Sequence, residues 1–339
     1  MKVTIYDVAK EAGVSIATVS KVINNTGNMR ESTRKRVLET MKEMNYTPSI
    51  MASALTGKST QTLGLLVPDI SNPFFAEMAK TIEDRAHEEG LSVIICSTDA
   101  NPEKERKYLE VLQQKQADGI LIASKFQDDT LLDDLIERNV PLVMLTIDDP
   151  TMNVSKVSID DFKGGFIATN HLLNQGHENI VMIAEHAYSS RMRVYGYREA
   201  HELMSRKVQE DNIMYAEATI EGGKHCFEEI FKRNNAKLPS AIFACNDLLA
   251  IGIIHAAKEY GISIPEDLSV IGFDNTILAT TSVPALTSVS QPVEDMGKMS
   301  VDLLLKEIKA GGQLKDRQLF NPELIIRGTT QAVKKSSKA

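Results

Sequence analysis

Carboxylates, amides and hydroxyls recur at one place in a repeating pattern. Asp69, Ser97 with Asp99, Ser124, Asn246 with Asp247, and Asp274 with Asn275 each follow a short run of apolar residues. Side chains of these types bind small polar molecules through hydrogen bonds. Any one of them also reads as a helix cap or turn residue, and several aimed at one cleft make a ligand site. No acid–base or nucleophilic machinery accompanies them. His171, His177, His186 and His201 pair with no nucleophile or ligand-spaced partner, and neither a GxSxG elbow nor a phosphate-cradling glycine loop occurs. His177, in GHENI, reads as a helix-to-strand turn residue making a local hydrogen bond. Cys96, Cys226 and Cys245 have no CxxC or Cys/His spacing, which argues against a zinc site or a disulfide framework. They read as thiols of a reducing cytoplasm, Cys96 and Cys245 in apolar strands. The expectation is no catalysis, no metal and no cofactor.

A second group of hydrogen-bonding residues belongs to YDVAKEAGVSIATVSKVIN (6–24). Val8, Ala9 and Ala12 make an apolar face on a helix from about Tyr6 to Ala12. Gly13 ends it, since glycine takes the left-handed conformation without steric cost. Ser15 caps the next helix, whose Val19, Val22 and Ile23 face the first, leaving Thr18, Lys21 and Asn24 on the open side. Two helices joined by a glycine turn let the second enter a major groove. A third helix follows a Ser32 or Thr33 cap, with Val37, Leu38, Met41 and Met44 as its buried stripe. Arg34, Lys35 and Arg36 crowd its first turn, where the helix dipole favours acids. That points to an anionic partner such as DNA phosphate. The plain alternative is a three-helix module with no DNA role.

Charge divides the chain the same way. Residues 1–60 hold nine Lys or Arg against five acids, a net +4, while the whole chain is −8, leaving −12 for residues 61–339. Contacts to nucleic acid are therefore confined to the N-terminal end. At 339 residues the chain suits a small module plus one or two α/β lobes. No apolar run is long enough to span a bilayer, and MKVTIYDVAK lacks a signal-peptide h-region, so a cytoplasmic location is expected.

From Thr62 onward short apolar runs alternate with amphipathic stretches. Strands are expected at 62–70, 92–99, 119–124, 141–147, 179–185, 241–247 and 268–275. Helices are expected at about 74–90, 103–117, 129–139, 161–176, 192–206, 222–234, 246–261 and 293–310. This alternation implies parallel sheets covered by helices on both faces, with ligands bound beyond the C-terminal strand ends. The linker YTPSIMASALTGKST (46–60) holds IMASAL, too short for a stable isolated helix. It is either a plain tether or a segment that folds when held, with Leu55 exposed for a purpose.

Together, YDVAKEAGVSIATVSKVIN, TRKRVLETMKEMNYTPS, ALTGKST, LLVPDISNPFFAE, GHENI and SVIGFDN resemble the lactose-repressor/galactose-repressor (LacI/GalR) family of bacterial transcription regulators, in the family's order from residue 3 to about 330. Within it the pattern is similar to a degradation-activator-like branch. The resemblance implies an N-terminal all-α helix-turn-helix domain (1–48), a hinge helix and linker (49–60), and an α/β two-lobed periplasmic-binding-protein-like core with parallel sheets (61–330). The core would be crossed three times by the chain, giving one lobe of about 61–160 and 290–320 and another of about 161–289 and 321–330, before a tail (331–339).

Carried over residue by residue, the resemblance implies DNA contacts by Tyr6, Ser15, Thr18, Ser20, Asn24, Asn28, Arg30 and Thr33. Ile16 and Ala17 take the base-reading positions, Lys21 stands where most members have Arg, and Lys58 lies at the hinge. Apolar residues at 16 and 17 suit a thymine methyl and make no bidentate hydrogen bonds. Leu55, beside Ala52, matches the hinge residue that wedges between central base steps. Ser53 replaces a common Arg. Effector contacts match Asn72, Phe74, Phe75, Ser124, Arg193, Asn246, Asp247, Asp274 and Gln291, with one of the Phe pair equally well a core residue. Thr146 replaces an acidic contact of some members. Such a set suits a small polyhydroxylated or anionic metabolite, a sugar or related molecule.

The implied function is a repressor-type regulator that binds a pseudo-palindromic operator as a homodimer and is controlled by an effector in the interlobe cleft. The tail after Arg327 lacks an apolar heptad repeat, which favours a dimer over a tetramer. The alternative is a cytoplasmic small-molecule binding protein without a DNA role. A transporter's solute-binding protein would need a signal peptide and has no use for residues 1–60.

Overall fold

Thr4 and Asp7 nucleate the first helix, α1 (Ile5–Glu11). The Asp7 carboxylate accepts the Thr4 backbone N–H at 2.9 Å and its hydroxyl at 2.7 Å, satisfying a donor that the helix start leaves orphaned. The computed structural model describes residues 3–23, 26, 27, 29–46, 59–233 and 238–333. The chain divides into two compact units, Met1–Thr60 and Gln61–Ala339. In the first, Gly13 takes φ +60° between α1 and α2 (Ile16–Ile23). Ser15 caps α2, its Oγ accepting from the Thr18 N–H at 3.2 Å. Val8, Ala9, Ala12, Val19, Val22 and Val37 form the core.

The third helix, α3 (Glu31–Glu43), starts earlier than expected. Arg30 is its N-cap, without a side-chain cap bond, so neither Ser32 nor Thr33 plays that part, and Glu31 places one acid in the first turn. Leu38 is exposed and Thr40 is buried, bonding the Arg36 carbonyl at 3.0 Å. The buried stripe therefore runs through positions 37, 40, 41 and 44, the i, i+3, i+4, i+7 face.

The second unit carries two six-stranded sheets. Sheet one is built from β1 (Thr62–Val67), β2 (Ser92–Ser97), β3 (Gly119–Ile122), β4 (Leu142–Leu145), β5 (Ser155–Ile159) and β11 (Arg317–Phe320), in the order β11-β5-β4-β3-β1-β2. Sheet two is built from β6 (Ile180–Ala184), β7 (Ile213–Tyr215), β8 (Ala241–Ala244), β9 (Ser269–Asp274), β10 (Thr287–Ser290) and β12 (Glu323–Ile325), in the order β12-β10-β9-β8-β6-β7. The chain thus passes between sheets after β5, β10 and β11. All pairings are parallel except β10 with the edge strand β12. Burial on both faces explains why the expected strands read as unbroken apolar runs: Leu63, Leu65 and Val67 enter one core and Leu66 another. Five strands escape the sequence pattern because they are short or polar, as in SKVSI, TSVS and RQLF.

Helices α4 (Pro73–Glu88), α5 (Pro102–Gln114), α6 (Asp129–Glu137) and α12 (Val293–Lys309) pack on sheet one. Helices α7 (Asp161–Asn174), α8 (Tyr188–Leu203), α9 (Ile220–Arg233), α10 (Asp247–Glu259) and the short α11 (Ile277–Thr281) belong with sheet two. His177 bonds the Gln331 carbonyl through Nε2 at 3.0 Å, a long-range tie holding the C-terminal segment and not the local turn bond expected. The three cysteines are buried and free. No helix among the described residues is long and apolar enough to cross a membrane.

Two helix pairs touch backbone to backbone. A Cβ on Gly165 of α7 would lie 2.1 Å from the Arg193 carbonyl of α8, and one on Gly196 of α8 would lie 2.0 Å from the Phe162 carbonyl of α7. Gly223 and Gly252 stand in the same relation between α9 and α10, at 2.1 Å from Leu249 O and 2.0 Å from Ile220 O. Overfilling such a contact typically costs about 1–3 kcal/mol. Gly196→Ala is expected to lower the stability of residues 61–339 by at least that amount, read from the denaturant midpoint. An unchanged midpoint would show that the helices can separate freely.

Candidate functional site

Two surfaces can bind. On the N-terminal unit, Tyr6 is 68% and Ile16 41% exposed, and Ser15, Ala17, Lys21 and Arg30 are exposed as well. The rest of the expected face is less open. Thr18 is half-buried with its hydroxyl 2.9 Å from the Ser15 hydroxyl, and Ser20 and Thr33 are half-buried. Among the described residues, no ion pair joins Lys21, Arg30, Arg34, Lys35 or Arg36, so their charge is available to an anion. Asn24, Asn28, Ala52, Leu55 and Lys58 lie outside the described residues, as does the hinge segment.

The second surface is a cavity of about 670 Å³ between the lobes. Each wall is a row of C-terminal strand ends, where an open α/β sheet binds its ligand. Asp69 follows β1, Ser124 follows β3 and Thr146 follows β4; Glu185 follows β6, Asn246 follows β8, Asp274 ends β9 and Gln291 follows β10. Asn72, Phe74 and Phe75 enter from the start of α4. Phe74 is also part of the core and meets Phe75 edge to face, with centroids 5.1 Å apart.

Arg193 lies at the floor. It is 5% exposed, its Nε donates to Asp161 Oδ1 at 2.8 Å and its Nη1 to the Cys245 carbonyl at 2.5 Å. The guanidinium stacks on Phe273, 3.5 Å from the ring centroid. Burial disfavours its charge, but Asp161 and Asp274 outweigh burial, so the guanidinium is held charged. Gln291 donates to Asp274 at 2.7 Å. Burial pushes Asp274 up to about 7, with Asp247 and Glu185 adding to the shift and Arg193 opposing it. Asp274 at φ +97° and Thr146 at φ +61° occupy left-handed backbone, a strain that persists when the surroundings over-determine it. For Thr146, the surroundings are its N–H to Val157 O at 3.0 Å and its hydroxyl to Ala123 O at 3.1 Å.

Of the nine residues expected at this cleft, eight line the cavity. Asp247 does not. Its oxygens are consumed behind the wall by the Ser288 hydroxyl at 2.7 Å, the Thr276 N–H at 2.7 Å and the Thr276 hydroxyl at 2.9 Å. It braces the turn after Asp274 and touches no ligand space. Asn246 and Asn72 both cap helices through their side chains, so the cap and ligand readings hold together. The Ser124 hydroxyl is buried without a partner.

Sequence reasoning passed over Asp161, Glu185, His186, Tyr188 and Glu217. The strand-tip pattern in NIVMIAE marks Glu185; nothing local marks Asp161, which meets Arg193 across 32 residues. The anionic alternative for the ligand fares poorly. Lys125 pairs with Asp129 at 3.1 Å and Arg193 with Asp161, while among the described residues Asp69 and Glu217 have no ion-pair partner. An anion would meet these two carboxylates. No group of three or more His, Cys, Asp or Glu is placed to hold a metal among the described residues.

A folded-state pKa of about 7, against an ordinary value of 3.8, means that the folded chain binds this proton more tightly. The contribution of neutral Asp274 to stability is full at low pH and is lost as pH rises through about 7. Asp274→Asn should match the parent's denaturant stability only below pH 3.8 and exceed it by a margin that grows up to about pH 7 and then holds. Parallel stability curves for the two proteins would contradict the assignment.

Residues 4–49 match the family model of bacterial regulatory proteins of the lacI family, and residues 169–330 match that of a periplasmic binding protein-like domain. The HTH-type transcriptional regulator DegA of Bacillus subtilis (strain 168) is 44% identical over 97% of this chain and 98% of its own length. The lac repressor dimer bound to operator and the anti-inducer ONPF superposes with a TM-score of 0.86 at 27% identity, covering 98% of this chain and all of that one. The complex of the transcriptional regulator CelR with cellobiose superposes with a TM-score of 0.73 at 29% identity, covering 97% of this chain and all of that one. These relatives are transcriptional regulators and not enzymes. A helix-turn-helix with an open basic face, a two-lobed core with a polar cavity at its strand ends, and a full-length relative at this identity place the chain in the lacI family of DNA-binding transcriptional regulators.

Proposed function

We propose that this protein is a repressor that binds a pseudo-palindromic operator as a homodimer, and that an uncharged, hydroxyl-rich effector in the interlobe cavity controls it. The observation that carries this reading is the cavity's composition. Acceptor carboxylates and amides, one buried guanidinium already paired, an unpartnered Ser124 hydroxyl and a Phe pair suit a sugar-like molecule. The cellobiose and operator named for the two superposing structures agree with it. Effector binding would alter the angle between lobes and so the separation of two hinge segments, residues 49–57 of each protomer.

Exposed apolar residues support pairing with a second copy. Ile70 and Ile95 are 41% and 42% exposed on lobe one, and Ile277 and Val283 are 62% and 90% exposed on lobe two. Among the described residues the C-terminal segment is spent on lobe two, with Val333 N–H donating to Gln175 O at 2.9 Å. A tetramerising helix has no support there.

The decisive experiment is a titration of operator DNA by full-length chain and by residues 61–339, with and without sugars. Residues 61–339 should stay folded and bind sugar without binding operator; retained operator binding would sink the reading. Arg193→Ala should weaken sugar binding about tenfold or more, since a hydrogen bond to a charged group is worth about 1.5–3 kcal/mol, and lower the stability of residues 61–339 because Asp161 loses its partner, with the DNA affinity of the folded chain nearly intact. Unchanged sugar titrations would remove the cavity from the mechanism.

The two kinds of DNA contact separate by salt. Arg30→Ala should weaken binding to all sequences alike and reduce the salt slope by about one unit. Leu55→Ala should leave the slope in place and reduce DNA bending. If Leu55→Ala bends and discriminates like the parent, residues 49–57 are only a tether.

A further inference from the structure

The cavity is graded from a closed floor to an open mouth, and its mouth has a wall of its own. Arg193, Asn246, Asp274 and Gln291 at the floor are 4–8% exposed. His186, Glu217 and Gln127 at the mouth are exposed. There His186 and Tyr215 stack nearly parallel, with centroids 4.6 Å apart and planes 9° apart. The sheet dictates this pairing. Strands β6 and β7 run in parallel register with Ala184 beside Tyr215, and Ala216 N–H donates to Ala184 O at 2.9 Å, so the residues at the two strand ends emerge side by side.

Tyr215 covers one face of the imidazole, and His186 lines the cavity. Glu217, two residues on, is fixed by its backbone. Its carbonyl accepts the Thr219 N–H at 2.7 Å, and a Cβ on Gly222 would lie 2.3 Å from that carbonyl. An aromatic plane beside a carboxylate with no cation partner matches a pyranose: one apolar C–H face and a rim of hydroxyl donors.

We propose that the effector has a second ring, uncharged and hydroxylated, seated on the His186–Tyr215 pair with Glu217 accepting from its hydroxyls, so that the ligand class is a disaccharide rather than a single sugar. The proposal rests on the reading of the cavity as a sugar site. A ring confined to the floor leaves the stacked pair and Glu217 in water; a second ring removes the platform's outer face from solvent. His186→Ala and Tyr215→Ala change exposed side chains and should leave the fold intact.

The test is calorimetric titration of the full chain with glucose, cellobiose and maltose, and with galactose and lactose, against the parent, both mouth variants and Arg193→Ala. At least one disaccharide should bind the parent five-fold or more tighter than its constituent monosaccharide. His186→Ala and Tyr215→Ala should each cut that advantage by about three- to ten-fold while leaving monosaccharide affinity unchanged, and Arg193→Ala should weaken both sugars. Equal affinities for one and two rings, or mouth variants that weaken both alike, overturn the second-ring proposal and leave the sugar reading standing, provided Arg193→Ala still weakens binding. If none of the five sugars binds the parent, both readings fall.

Discussion

The floor of the interlobe cavity depends on one buried ion pair. Arg193 and Asp161 are each 5% exposed and sit 2.8 Å apart, and each charge is tolerated in the interior because the other compensates it. The pair forms because α7 and α8 approach until backbone meets backbone, which Gly165 and Gly196 alone allow. Asp161 opens α7 immediately after the chain leaves sheet one at β5. Asp161 therefore stands at a crossing between lobes and directly behind Arg193 of the cavity floor.

Around that pair the site gathers carboxyl groups whose charge burial disfavours. Both cations that line the cavity already have partners, whereas Glu185 and Asp274 carry carboxyls that burial pushes up. Left-handed backbone at Asp274 and Thr146 adds strain at the two walls. A cavity that holds surplus acceptors and stored strain gains most from a donor-rich ligand. The N-terminal unit is arranged differently: a core of six buried small and branched residues supports an outer face that carries Ile16, Ala17 and cations without an ion pair among the described residues. One unit encloses a polar cavity, and the other exposes a basic face.

Several features were open to local reading because short-range physics decides them. The Gly13 turn and the Ser15 cap follow from backbone conformation and a hydrogen bond three residues away. Central strands announce themselves because burial on both faces demands unbroken apolar runs. The edge and polar strands do not: β7 and β12 are three residues each, and β5 reads as SKVSI. Leu38 fell on the wrong side because positions 38 and 40 flank the 37–41–44 stripe on opposite sides, and only packing against the neighbouring helices chose Thr40. Asp247 shows a different limit, since residue type cannot tell a ligand contact from a brace one layer behind it.

The sequence by itself determined the class of the protein: a basic helix-turn-helix, alternating apolar runs and amphipathic helices, and polar tips on the strands. Each of these is written within a window of a few to twenty residues, where propensity, capping and hydrophobic period act. Only the tertiary structure decided which tips meet, that Arg193 is neutralised by Asp161, that His177 reaches Gln331, and that His186 stacks on Tyr215. Those partners lie 29 to 154 residues apart. Their energies come from burial and charge compensation, which exist only after the sheets have aligned and the helices have closed over them.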